Sequence, residues 1–390
     1  MKYYLARDAS LKWLETPSVY QIVKDELYEL DDISFGFLKD CASPSGCSTD
    51  DTEFIDYCLS EGILTREVIS LNRPPLIKSP EPSLRYLELQ ITERCNFSCK
   101  HCFLGTHTPP ATHLVGGLSN QSLSELSLSQ ITAILKEFEE MQGLRVLITG
   151  GEPLLHRQFE EINERLPDFF IRKVLFTNGS LLGKKVLKRL HVNEIQISID
   201  GLEHAHDALR GKGTYRLAID AVKRVIDSGF EVSVSTMVHA KNLEDFDEMD
   251  RLFKRLGIKD WTVDIPCITG NLIEHKDFHI SPQLGGKYFR YGYGEGLHTS
   301  TAGFGCGLHL AAVMADGRVA KCTFYAERPV GYIKEGLRAC WERIQPIRLD
   351  NLACDCSHIE SCRGGCRYRA ELLGDPLGKD LYKCSFYGVY

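Results

Sequence analysis

The sequence predicts an α/β protein in which six strand–helix units follow one another and pair as a parallel sheet. Two observations carry this. From residue 84 to about 270, short apolar runs of strand length alternate with longer segments whose apolar residues recur at helical spacing. Residues suited to chemistry then fall just after the strand runs, at the strand ends where parallel sheets place their sites. A proline-dense stretch precedes this region and a cysteine-dense stretch follows it, so the chain divides into three parts.

The expected strands are Leu84–Thr92, Leu144–Thr149, Val174–Thr177, Glu194–Ile199, Val232–Val238 and Trp261–Ile265. Between them lie helical patterns. The first carries Ile131, Ile134, Leu135, Phe138 and Met141, and the next two cover 157–169 and 183–191. The fourth carries Leu217, Ala218, Ala221, Val222, Val225 and Ile226, and the fifth Leu243, Phe246, Met249, Leu252, Phe253 and Leu256. Periodicity leaves open whether the six units form an open sheet or close as a barrel.

At the front, Leu11 to Leu30 reads as two or three short strands. Asp31-Asp32 caps a helix carrying Ile33, Phe35, Phe37 and Leu38. Ser48-Thr49-Asp50-Asp51 starts another, with Phe54, Ile55, Cys58 and Leu59 on one face, and Gly62 ends it. Residues 71–83 hold Pro74, Pro75, Pro80 and Pro82, a density that suits a semi-rigid linker.

Length and composition set bounds. A chain of 390 residues is long enough for two or three domains. Its net charge of −7 disfavours a nucleic-acid partner bound through a general basic surface. No apolar run approaches a membrane span, and the N-terminus lacks the apolar core of a signal peptide, so no membrane partner and a cytoplasmic location are expected. Fifteen cysteines in that setting point to metal rather than disulfides. Most cluster at 95–102 and 306–384; Cys41, Cys47, Cys58, Cys267 and Cys340 are left over and expected as buried thiols.

Cys95, Cys99 and Cys102 follow the first strand at spacing C-x3-C-x2-C. Thiolate is the preferred ligand of iron–sulfur clusters, and three thiolates on a four-iron cube leave one iron open. A structural zinc site would usually supply four ligands as two close pairs. Thr149-Gly150-Gly151-Glu152-Pro153 ends the second strand. Paired glycines let backbone approach a ligand, and a carboxylate there suits an ammonium. Thr177-Asn178-Gly179 ends the third strand, though Asn-Gly is also an ordinary turn. Ser198-Ile199-Asp200-Gly201 ends the fourth, with a hydroxyl and a carboxylate suited to ribose hydroxyls. The polar insertion Gly105–Ser127 reads as a cover over the site.

The cysteine spacing, with His101 in the aromatic slot before Cys102, together with the Gly-Gly-Glu at the next strand end, resembles the signature of the radical S-adenosylmethionine (SAM) superfamily. The resemblance selects a partial (β/α)6 TIM barrel, placed at 84–300. It implies a 4Fe–4S cluster on Cys95, Cys99 and Cys102 whose open iron chelates SAM. It also implies SAM contacts from His101, Gly150, Gly151 and Glu152 (amino group), Ser198 and Asp200 (ribose), and Arg210 (carboxylate) within His206-Asp207-x-x-Arg210-Gly211. Ser235–Val238 resembles a lesser SAM-contact segment.

The C-terminal cysteines resemble the SPASM domain, placed at 301–390, which normally holds two auxiliary 4Fe–4S clusters. That implies an outer cluster on Cys354, Cys356, Cys362 and Cys384, and an inner one on Cys306, Cys322 and Cys366. The Cys354-x-Cys356 pair is one residue shorter than the family pattern. Ser300 stands where some relatives have an eighth cysteine, which implies an open iron on the inner cluster. Thr323 stands where sulfatase-maturing relatives have an aspartate base, which ranks formylglycine formation low. Residues 1–70 resemble the winged-helix-like, PqqD-like module that binds a precursor's leader by strand addition.

Taken together, these resemblances imply three 4Fe–4S clusters, SAM, a flavodoxin- or ferredoxin-like electron donor and a ribosomally made precursor peptide. The expected product is a thioether or carbon–carbon cross-link. The same chemistry on a small molecule, as in haem or cofactor synthesis, is the alternative.

Overall fold

The computed structural model describes residues 1–105, 123–294, 296, 298 and 307–389. Most of the insertion expected as a cover, together with Ser300 and Cys306, lies outside the described residues.

The chain opens with β1 (Tyr4–Leu5), β2 (Ala9–Trp13), β3 (Pro17–Gln21) and β4 (Glu26–Glu29). Strands β2, β3 and β4 form an antiparallel sheet in that order, while β1 pairs with β5 (Leu64–Thr65) after two helices. Helix α1 (Asp32–Cys41) is capped by the Asp31 carboxylate on Ser34 N, and α2 (Thr52–Ser60) by Asp51 on Phe54 N. Leu5, Val19, Leu38, Cys41, Ile55, Cys58 and Leu64 share a small core between sheet and helices. One edge of the sheet, β2, is turned to the main body, where Lys12 Nζ donates to Gly143 O at 2.7 Å and Trp13 N to Gln142 Oε1 at 3.2 Å. The other edge, β4, pairs only with β3 among the described residues.

The six expected strands are β6 (Tyr86–Gln90), β7 (Arg145–Thr149), β8 (Arg172–Thr177), β9 (Glu194–Ser198), β10 (Glu231–Met237) and β11 (Asp260–Asp264). They are parallel and lie in chain order across the sheet. Leu87, Leu89, Val146, Ile148, Leu175, Ile195, Ile197 and Val234 face the covering helices in one continuous core. The intervening Glu88, Phe176, Gln196, Ser198 and Ser235 retain partial exposure, as expected of the row facing the barrel interior. Helix α3 (Leu128–Glu140) starts from a Ser127–Gln130 capping box.

Several expectations are corrected. The helix expected at 157–169 is α4 (Phe159–Arg165) followed by a 3-10 turn, because Pro167 cannot continue an α-helix. That at 183–191 is only α5 (Lys184–Leu187). An unexpected α6 (Glu203–Arg210) precedes α7 (Thr214–Asp227), and α8 (Phe246–Leu256) begins after Leu243. Leu217, expected on the buried face of α7, is 45% exposed. Cys47, expected buried, is partly exposed.

Residues 310–320 form a hairpin of β12 (Leu310–Val313) and β13 (Arg318–Ala320), with β14 (Gly331–Tyr332) beside them. It is not separate from the main sheet: β12 pairs in parallel with β6, so nine strands run β11-β10-β9-β8-β7-β6-β12-β13-β14. No helix among the described residues is long and apolar enough to cross a membrane.

Candidate active site

The C-terminal end of β6 passes directly into the loop of Cys95, Cys99 and Cys102. The loop is tight: Cys102 N donates to Cys99 O at 3.2 Å, and Phe97 N to Cys95 Sγ at 3.5 Å. Burial pushes the Cys95 thiol up to about 12 and the Cys99 thiol up to about 11, and the neighbouring Arg210 only partly offsets this at Cys99. Such thiols ionise when a metal takes them, and that coupling is the ordinary chemistry of a cluster site.

The paired glycines sit against this loop. A Cβ on Gly151 would lie 2.4 Å from Arg94 O and 2.9 Å from Cys95 Cβ, and one on Gly150 would lie 2.7 Å from Thr92 O. Only glycine lets the end of β7 approach so closely. Gly151 N and Glu152 N donate back to Thr92 O and Arg94 O at 2.8 and 2.7 Å.

Glu152 is fully buried. Its carboxylate accepts from Thr177 Oγ1 at 2.8 Å, Asn178 N at 2.9 Å and Leu154 N at 3.3 Å. It makes no ion pair among the described residues, and burial pushes it up to about 7. A buried carboxylate with neutral donors alone is poised for a cation. Thr177 and Asn178 belong to the segment that reads in sequence as a plain turn. Here they hold Glu152, and Asn178 Nδ2 also donates to Asn96 Oδ1, at 2.9 Å, within the cysteine loop.

Asp200, fully buried at the end of β9, accepts from Arg210 Nε and, at 2.7 Å, from Met237 N. Both oxygens are therefore engaged inside the protein, and Asp200 anchors Arg210 rather than standing free. Against its burial, the Arg210 guanidinium holds it well below the usual carboxylate range. Helix α6 carries Arg210 in its last turn, within hydrogen-bonding reach of Cys99 and with Nη2 3.4 Å from His101 Nε2. Burial, with Arg210 adding to it, brings His101 down to about 3, so its ring is neutral. His101 Nδ1 and His206 Nε2 are buried without a hydrogen-bond partner among the described residues. Ser198 is on the interior row of β9.

The C-terminal cysteines form a second field. Cys354 Sγ lies 3.8 Å from Cys356 Sγ, so the shortened spacing still brings both thiols together. With Cys362 and Cys384 they line one pocket, with Arg367, Lys379 and Lys383 around it. Cys322 ends the β13 hairpin, and Thr323 N donates to Glu88 Oε2 at 2.9 Å. Phe324 stacks on Tyr368 at 5.5 Å and tilts against Phe103 at 5.8 Å, so the Cys322 turn, the Cys366 region and the first cysteine loop are neighbours. Arg369 ties the segment after β11, through Ile265 O at 3.0 Å and Asp264 Oδ1 at 2.6 Å, to Asp380, whose carboxylate also accepts from Cys366 N at 2.8 Å. Among the described residues no three His, Cys, Asp or Glu side chains converge on a point fit for a single metal ion. A cluster distributes its ligands over several irons and needs thiols set wider apart.

Residues 89–253 match the family model of the radical SAM superfamily. The chain is 26% identical over 325 residues to the mycofactocin maturase MftC of Mycolicibacterium smegmatis, covering 75% of this chain and 80% of that one. It is 27% identical over 213 residues to an AdoMet-dependent heme synthase of Nitratidesulfovibrio vulgaris, covering 53% of this chain; the match spans about half of that relative's length, 55%. Among solved structures, Streptococcus suis SuiB bound to its precursor peptide SuiA superposes with a TM-score of 0.69 over 98% of this chain and 100% of that one, at 15% identity. That likeness is one of fold, and it includes the small front sheet and the cysteine-rich end. The cysteine loop and the Gly-Gly-Glu, at adjacent strand ends, both lie within residues 89–253, the stretch that matches the radical SAM superfamily.

Proposed function

We propose that this chain is a radical SAM/SPASM enzyme that modifies a ribosomally made precursor peptide, forming a thioether or carbon–carbon cross-link. The single observation that carries the peptide reading is the front sheet. It is docked on the barrel by β2 and leaves β4 open as an edge to which an extended leader can add a strand. Tyr28 on that edge is braced by Tyr57 at 6.1 Å and by Glu61, to which its hydroxyl donates at 2.9 Å. The fold shared with peptide-bound SuiB supports the same reading.

The donor set fits the group the superfamily implies. Three buried thiols on one loop, a cation-lacking carboxylate beside them and a glycine cradle suit a 4Fe–4S cluster carrying SAM. That pair supplies reductive cleavage of SAM to methionine and a 5′-deoxyadenosyl radical able to take hydrogen from unactivated carbon. Cys95, Cys99 and Cys102 would hold the cluster. Glu152 would receive the SAM ammonium, held in place by Thr177 and Asn178. Arg210, fixed by Asp200, would present its guanidinium to the carboxylate. His101, neutral, would pack beside it, and Ser198 would face the ribose. Cys354, Cys356, Cys362 and Cys384 would hold the outer auxiliary cluster; Cys322, Cys366 and, from the sequence pattern, Cys306 would hold the inner one. Electrons would come from a flavodoxin- or ferredoxin-like donor.

The test is binding of short Cys-containing peptides encoded beside this gene, followed by mass spectrometry after anaerobic turnover. Binding that is lost when β4 is blocked by Leu27→Pro, with a mass loss on turnover, supports the reading. Absence of binding to every such peptide would move the assignment to a small-molecule substrate, the reading favoured by the heme synthase match.

A further inference from the structure

Charge is spread unevenly along the chain. Residues 1–70 hold fourteen aspartates and glutamates against six lysines and arginines, a net charge of −8, whereas the other 320 residues together carry +1. The acidity of the protein is gathered in the front domain. One of its six cations, Lys12, is buried against the barrel.

The carboxylates border the open strand. Helix α2 runs back along β4: Lys24, in the turn before the strand, reaches Ser60 O and Glu61 at the end of the helix, and Tyr28 meets Tyr57 one turn earlier. Glu53, Asp56, Tyr57 and Ser60 are all exposed and recur at helical spacing, so they form one stripe. The contact of Tyr57 with Tyr28 puts that stripe beside the β4 edge. Glu26 shares a strand face with Tyr28, and the exposed Glu29, Asp31 and Asp32 follow at the far end. Of the residues named on this face only Lys24 is a cation, and Glu61 holds it at 2.8 Å. Glu29, Glu53 and Asp56 make no ion pair among the described residues. Glu53 and Asp56, three apart on one helix, repel each other.

We propose that the leader taken up by β4 is basic, its added strand carrying lysine or arginine at alternate positions in the row that faces α2. The inference rests on the leader-binding part of the proposed function and names the class of peptide bound there. Alternate residues of a strand are about 6.7 Å apart and successive turns of a helix about 5.4 Å, so cations at i, i+2 and i+4 can each find a carboxylate of the stripe. The Tyr57 ring, 50% exposed, offers its face to one of them. Backbone pairing along β4 supplies affinity for any extended peptide, and the charge selects among peptides, because an acidic row in the same place is repelled.

The test uses full-length protein and short labelled peptides that alternate threonine with lysine, with glutamine or with glutamate, titrated by fluorescence anisotropy at low and high salt. The lysine peptide should bind roughly tenfold more tightly than the glutamine peptide at low salt, the sum of a few exposed ion pairs. The glutamate peptide should bind most weakly, and the differences should shrink at high salt. The variant E29Q/E53Q/D56N, altered only at exposed positions, should remove the lysine advantage, and E161Q/E164Q on α4 should keep it. Equal affinity for the lysine and glutamine peptides, or a lysine advantage that survives E29Q/E53Q/D56N, overturns the inference. Peptides encoded beside this gene separate it from the reading beneath. A neighbouring peptide whose binding falls roughly tenfold when the lysines and arginines of its leader become glutamine supports the inference. One that binds equally well with and without them overturns the inference and leaves leader binding standing. No binding by any neighbouring peptide, with no difference among the three synthetic ones, overturns both.

Discussion

The two ends of the parallel sheet both bury charge, and they do so differently. At the start of the strands, Arg172 is fully buried and lies 2.9 Å from Glu194, 2.9 Å from Glu231 and 3.5 Å from Asp25. Arg145 also pairs with Asp25, and Tyr20 donates its hydroxyl to the same carboxylate. Every one of these charges has an opposite neighbour, and the network ties the front sheet to the barrel. At the far end of the same strands, Glu152 is as deeply buried but among the described residues meets only neutral donors. Burial of charge is therefore not what marks the site. Incomplete pairing is, because an uncompensated buried carboxylate is costly unless something that arrives later neutralises it.

The sharpest way to break this comparison is to remove the triad. Cys99→Ala should abolish reductive formation of 5′-deoxyadenosine while leaving the thermal unfolding of the metal-free chain close to that of the parent. Next in size is the closed end. Arg172→Met leaves buried Glu194 without its cation and removes one of two from Asp25 and Glu231, and should destabilise the fold by about 3–5 kcal/mol, read from denaturant midpoints, with little change in SAM affinity for the fraction that folds. Glu152→Gln should do the reverse. Loss of a charge-assisted bond worth about 1.5–3 kcal/mol weakens SAM binding roughly tenfold to a hundredfold by titration calorimetry, and the metal-free fold is not weakened.

The smallest effect is in pH, and the two ends should differ in sign. Glu152 is raised to about 7 in the folded chain, so the fold holds a proton there that the unfolded chain releases near its ordinary value. Its contribution to stability falls as pH rises from about 4.5 to 7. SAM, which needs the carboxylate, should bind roughly tenfold more weakly at pH 6 than at pH 8, and Glu152→Gln should flatten that slope. Asp25 is lowered despite its burial, by His298, Arg145 and Arg172. Its contribution is complete above about pH 4 and is lost as pH falls through the folded value. Acid unfolding profiles with Asp25→Asn check this.

Much of the main sheet was legible because each strand is a local apolar run and each βα unit is a short-range pattern. The same held for Cys95, Cys99, Cys102 and Glu152, whose spacing is read along one chain. What was hidden is what depends on partners far apart in sequence. The pairing of β12 with β6 brings together residues 310–313 and 86–89, and an isolated hairpin pattern is silent about a third strand. Thr177 and Asn178 looked like a turn because Asn-Gly is one; only the fold shows them donating to Glu152. Asp200 reads in sequence as facing the site, by alternation with Ile199; that it also holds Arg210 and Met237 N depends on partners far along the chain.

The measurement that bears most directly on the account is the SAM dissociation constant of anaerobically reconstituted parent, Glu152→Gln and Arg172→Met protein at pH 8. The account predicts that Glu152→Gln binds at least tenfold more weakly and Arg172→Met binds like the parent. Equal affinity for parent and Glu152→Gln would contradict it, since the buried Glu152 carboxylate would then not be waiting for the SAM ammonium.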